Sequence, residues 1–180
     1  TADGLRPITV LSQIFRLWGS LRMEHLTPWA RTWMAPLQTG LRRGPGAAQL
    51  LWTAAVQVET QVAQKLLTVG VSFDLAKAFD TVDWGVLVGF LDALGALVGP
   101  LQAAIRMYGQ MTRYFQAPGT RVVSTGLSAD RGIPQGCALA PLLMAVITRF
   151  WVAHLGCAEL YGSFHSRMVV DDLHILLTYP

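Results

Sequence analysis

Two periodicities divide the chain into helices and short strands. Ile14, Phe15, Leu17, Trp18, Leu21 and Leu26 recur at helical spacing over residues 12–26, with Ser12 placed to cap the first turn. A second helix is predicted over residues 47–67, directly after the Gly44-Pro45-Gly46 break. The period then shortens to two. Val69, Val71 and Phe73 take one face, and Gly70, Ser72 and Asp74 the other, so the pattern is a strand ending in a carboxylate. Asp83 is placed to cap a helix whose apolar stripe is Val86, Leu87, Phe90, Leu91 and Leu94. A further helix is expected over residues 97–111, then a hairpin with arms 114–116 and 120–125 around Pro118-Gly119. Beyond the loop at residues 132–136 comes an apolar helix over 138–155. Met168, Val169 and Val170, the pair Asp171-Asp172, and the apolar run 173–177 read as strand, two-residue turn, strand.

Composition tests one alternative. An apolar content of 52% and a mean hydropathy of +0.40 are high, so a membrane span has to be considered. The best segment, residues 138–153, is interrupted by Pro141, Thr148 and Arg149 and falls short of the roughly 20 residues that cross a hydrocarbon core. It reads as a core helix, and no membrane partner is expected. Cys137 and Cys157 make no disulfide framework and fit a reducing, intracellular setting, nucleus or cytoplasm. His154, Cys157 and His165 lack the paired spacing and the fourth ligand of a zinc site. The chain begins at Thr1 without a methionine and is expected to be a fragment of a longer protein.

Charge is unevenly distributed. Before residue 74, seven basic side chains (Arg6, Arg16, Arg22, Arg31, Arg42, Arg43 and Lys65) face three acids, a net of +4. From Asp74 onward seven basic side chains face eight acids, a net of −1. The basic set is nearly all arginine, whose planar fork of donors suits phosphate. That asymmetry points to a polyanionic partner.

The candidate chemistry lies in carboxylates at strand ends. Asp171 and Asp172 are adjacent like charges that need compensation, and a bound cation supplies it; an ordinary acidic turn is the alternative. Asp74 is a third strand-end carboxylate, and its same-face neighbours Gly70 and Ser72 are too small to crowd it. Mg2+ is held by one or two carboxylates together with substrate phosphates, and two such ions about 4 Å apart serve phosphoryl transfer.

Three motifs then carry a family resemblance. Residues 72–80, Ser-Phe-Asp-Leu-Ala-Lys-Ala-Phe-Asp, resemble the first catalytic palm motif of reverse transcriptases. Residues 132–141, Gly-Ile-Pro-Gln-Gly-Cys-Ala-Leu-Ala-Pro, resemble their glycine-and-glutamine motif, and Val169-Val170-Asp171-Asp172 resembles their aromatic-x-Asp-Asp motif. Residues 6–11 and 38–42 look like two finger motifs of the non-LTR retrotransposon and group II intron branch. Val169 stands where an aromatic is usual, and Ala140 where serine is common.

The resemblance implies an α+β, right-handed polymerase fold. Residues 1–68 would be a basic, helical fingers region and residues 69–180 a palm without its thumb, with an antiparallel sheet and helices packed on one face. It implies RNA-directed DNA polymerase activity, in which dNTPs are added to a primer 3′-hydroxyl on an RNA template. Asp74 and Asp171 would be the ligands of two Mg2+ ions, with Mn2+ as a substitute, and Asp172 a supporting carboxylate. Phe79 would lie beneath the sugar of the incoming nucleotide, with Gln135 and Gly136 against template and nucleotide. Arg42 would hold the triphosphate, and Arg6, Arg16 and Arg43 the nucleic acid. Without a thumb, this stretch alone is expected to extend primers poorly. The rival readings are an inactive retroelement remnant that only binds nucleic acid, and an RNA-templated RNA polymerase.

Overall fold

The computed structural model describes residues 8–34, 47–96, 98–156, 163–169 and 172–179. The elements run α1 (Gln13–Trp33), α2 (Ala47–Ala63), β1 (Leu67–Asp74), α3 (Trp84–Ala93), α4 (Val98–Gln110), α5 (Ala140–Gly156), β2 (Ser163–Val169) and β3 (Asp172–Tyr179). They belong to two compact units that interleave in sequence. One comprises Thr1–Leu26 and Phe79–Ala140, the other Thr27–Ala78 and Pro141–Pro180. Neither coincides with residues 1–68 or 69–180.

Helix α1 begins where expected, with Ser12 Oγ accepting from the Phe15 amide at 3.3 Å. It runs on through Pro28 to Trp33, well past the predicted end at 26. A proline inside a helix costs ~3 kcal/mol. Leu26 and Ala30, at 1% and 2% exposure, are buried on either side of it, as is Met34 just past the helix end at 7%, whereas Ile14, Leu17 and Leu21 of the predicted stripe are exposed.

Helix α2 is shorter than the predicted 47–67. It closes at Lys65, whose φ of 57° is left-handed. The Lys65 amide donates to the Val62 carbonyl at 2.9 Å and the Leu66 amide to the Gln61 carbonyl at 3.0 Å, a paired cap that turns the chain directly into β1.

The first unit is built on α3 and α4. Asp83 caps α3 as its spacing suggested, accepting from the Val86 amide at 3.0 Å. Leu87, Leu91, Leu101, Ala104, Tyr108, Ile133 and Leu139 are buried. The expected hairpin is reduced to two isolated antiparallel bridges, Arg113 with Leu127 and Gln116 with Val123. Between them the Ser124 amide donates to the Phe115 carbonyl at 2.9 Å.

The second unit holds a three-stranded antiparallel sheet in the order β1-β3-β2. The ring of Phe73 on β1 meets Trp151 of α5 edge-on, 6.0 Å between centroids. Thr68 Oγ1 donates to Gln61 Oε1 of α2 at 3.0 Å. Leu142 to Val146 are buried without interruption along α5, as in a helix enclosed on all sides. Among the described residues no helix is long and apolar enough to cross a membrane.

Candidate catalytic carboxylates and nucleotide loop

β1 delivers Asp74 to its exposed end, and β3 starts at Asp172. The two are direct register partners in the antiparallel pair. Such partners have Cα atoms roughly 4.5–5.5 Å apart, and like charges placed so are mutually destabilising. Carboxylates on residues paired in this way are of the hard-oxygen type that divalent cations take as ligands. Asp171, the other proposed ligand, lies outside the described residues, as do Arg6, Arg42, Arg43 and Cys157. Among the described residues no group of three His, Cys, Asp or Glu side chains gathers to hold a metal.

One detail of the carboxylate motif differs from expectation. Asp172 was assigned to a two-residue turn with Asp171, but it is the first residue of β3 and pairs with Val169 of β2 as well as with Asp74. Central placement of β3 decides this, because a one-residue slip would turn every side chain of the strand to the opposite face.

The first unit brings together the other nominated residues through backbone contacts. The Ile133 amide donates to the Phe79 carbonyl at 2.7 Å, and the Gly132 amide to the Val82 carbonyl at 2.8 Å. Trp84 Nε1 donates to the Gly132 carbonyl at 2.9 Å. At the far end of the loop the Thr9 amide donates to the Gln135 carbonyl at 2.8 Å. Gly136 has φ 124°, and a Cβ there would sit 2.5 Å from the Thr9 carbonyl oxygen. Only glycine suits that position. Three stretches distant in sequence, around Thr9, Phe79–Trp84 and Gly132–Cys137, therefore meet. Phe79 and Gln135 are half-buried, and Gly136 is exposed. Arg16 is exposed on the first turn of α1.

Sequence reasoning did not find Thr9, Trp84 or Tyr108 as parts of this loop. The Tyr108 hydroxyl donates to Cys137 Sγ at 3.0 Å, and that sulfur also accepts from the Leu139 amide at 3.4 Å. Burial, with the neighbouring Cys137, pushes the Tyr108 phenol far above its ordinary pKa. Thr9 acts through its backbone, which no side-chain pattern reports.

No curated protein matches the chain. Among solved structures it resembles an apo telomerase from Candida tropicalis truncated from its C-terminal domain, with a TM-score of 0.62 at 11% identity. The match covers 91% of this chain and 35% of that one, so the chain spans about a third of the structure it resembles, and the likeness is one of fold. The sequence model for reverse transcriptase (RNA-dependent DNA polymerase) matches residues 1–176. Nearly the whole chain is covered, and it belongs to the reverse transcriptase family.

Proposed function

We propose that the chain is the fingers and palm part of an RNA-directed DNA polymerase of the non-LTR retrotransposon and group II intron branch, acting inside the cell. In this reading the antiparallel sheet is the palm. The observation that carries it is the pairing of Asp74 with Asp172 across β1 and β3, which makes two strand-end aspartates register partners within the span that the family model matches.

Asp74 and Asp171 would hold two Mg2+ ions, with Asp172 supporting them beside the primer end. Bound there, such ions activate the primer 3′-hydroxyl and steady the departing pyrophosphate. The chain's own residues supply position. Phe79, five residues after Asp74, lies under the sugar of the incoming dNTP, and Gln135 and Gly136 line template and nucleotide. Arg42 holds the triphosphate, while Arg6, Arg16 and Arg43 track the nucleic acid.

Single-nucleotide extension of a DNA primer on an RNA template, by the complete reading frame that encodes this chain, tests the reading. Incorporation should require a divalent cation and be lost in Asp74→Asn by at least two orders of magnitude. Retained synthesis in that variant would remove Asp74 from the site. Efficient use of ribonucleotides by the parent would favour an RNA-templated RNA polymerase instead.

A further inference from the structure

The peptide unit joining Gly132 to Ile133 is held at both ends. Its N–H, on Ile133, donates to the Phe79 carbonyl at 2.7 Å, and its oxygen, on Gly132, accepts from Trp84 Nε1 at 2.9 Å. Because a peptide is planar and rigid, fixing the oxygen also fixes the direction in which the N–H points. Trp84 thereby sets the orientation of the group that grips the backbone of Phe79.

Little slack surrounds this unit. Gly132 has φ 89°, and a Cβ on it would lie 2.8 Å from the Asp80 carbonyl oxygen, so loop and segment are in close backbone contact. The Trp84 ring is itself confined by α4, since a Cβ on Gly109 would stand 3.2 Å from its Cζ3 atom. Gln135 lies two residues past Ile133 and is tied at its carbonyl to Thr9. The span between Phe79 and Gln135 is thus fixed by three backbone ties and one side chain.

We propose that Trp84 is a positioning residue for nucleotide selection, keeping the backbone of Phe79 at one spacing from Gln135 by orienting the Gly132–Ile133 peptide. Trp84 touches no reacting atom in this scheme. The inference rests on the reading of Phe79 as the residue beneath the sugar. Removing the indole donor frees the peptide to tilt and lets Phe79 recede, so the space for a 2′-hydroxyl widens. The effect falls on nucleotide discrimination and on KM for the dNTP more than on kcat.

The test is single-nucleotide extension by the complete protein with matched dNTP and rNTP, comparing Trp84→Phe, Phe79→Val and the double variant. Trp84→Phe should lower the dNTP-to-rNTP efficiency ratio at least threefold, chiefly through KM. In the double variant the two changes should be less than additive, because both act on one contact. If Trp84→Phe lowers thermal stability enough to obscure activity, β-(3-benzothienyl)alanine at 84 keeps the ring shape against Gly109 while lacking the N–H, and should give the same loss of discrimination. An unchanged ratio in a folded position-84 variant, with Phe79→Val still altering it, overturns the role of Trp84 alone. If Phe79→Val also leaves the ratio unchanged, the reading of Phe79 falls and this inference falls with it.

Discussion

Asp74 and Asp172 are register partners at one end of the β1–β3 pair, so two aspartates occupy directly opposed positions on neighbouring strands. The arrangement is unfavourable in the absence of a cation, by a few tenths to ~1 kcal/mol for a directly opposed pair. Asp74→Asn should leave the metal-free protein unchanged or slightly more stable. Added Mg2+ should raise the melting temperature of the parent but not of the variant, a gain of ~2.7 kcal/mol at a hundredfold excess over Kd. Thermal unfolding with and without Mg2+ checks this, and an equal Mg2+ response in both proteins would exclude Asp74 as a ligand.

Phe79 is the proposed barrier to ribonucleotides. A rigid ring there leaves a 2′-hydroxyl both crowded and without a hydrogen-bond partner. Phe79→Val should raise relative ribonucleotide use tenfold or more, equivalent to ~1.4 kcal/mol of lost discrimination. Matched dNTP and rNTP extension on one primer-template gives the ratio, and constancy of that ratio in an active variant would make Phe79 a packing residue.

Two glycines should respond oppositely to alanine. At Gly136 the φ of 124° and the Thr9 carbonyl oxygen, 2.5 Å from the would-be Cβ, both oppose a side chain. Gly136→Ala should cost roughly 1–3 kcal/mol. Gly89 sits inside α3 with nothing within 4 Å of a Cβ, so Gly89→Ala should stabilise by ~0.5–1 kcal/mol. Denaturant midpoints of the two variants decide the matter; a neutral Gly136→Ala would mean that the Thr9 contact yields freely.

Tyr108 predicts an alkaline loss of stability. Its buried phenol keeps its proton in the folded chain, whereas in the unfolded chain it ionises near its ordinary value of 10.0. Unfolding above that pH therefore releases a proton. The contribution is fully present below about pH 10 and declines by ~1.4 kcal/mol per pH unit above it. Tyr108→Phe should flatten this component while losing ~1 kcal/mol at neutral pH with the Cys137 hydrogen bond. Unfolding free energies from pH 8 to 11 would contradict the assignment if the two proteins declined in parallel.

Salt dependence tests the arginine track. If Arg16 contacts a phosphate, nucleic-acid binding by Arg16→Ala should show a log-log salt slope shallower by about 1 than the parent's. An unchanged slope removes Arg16 from the track.

Where a signal is local, the sequence was a good guide. Asp83 caps α3 because a carboxylate three residues before the first position of an apolar stripe has an unpaired amide to accept from. The alternation before Asp74 ends in a strand because period two leaves only one face for its apolar side chains. Element ends were less legible. A proline ordinarily signals a helix end, yet α1 runs through Pro28, and the left-handed Lys65 that stops α2 is a residue with no special preference for that conformation.

The sequence alone nominated the residues proposed to carry the chemistry, the carboxylates at strand ends and the glycine-rich loop, because charge and backbone freedom belong to residue types. Tertiary structure decided what those residues face. Only the strand order β1-β3-β2 makes Asp172 the partner of Asp74 and draws it out of the turn into a strand. Only the folding of α3 and α4 sets Trp84 against the Gly132 carbonyl, a contact between positions 48 apart in sequence. Pairings over such separations follow from the packing of whole elements, and no short window of sequence contains that information.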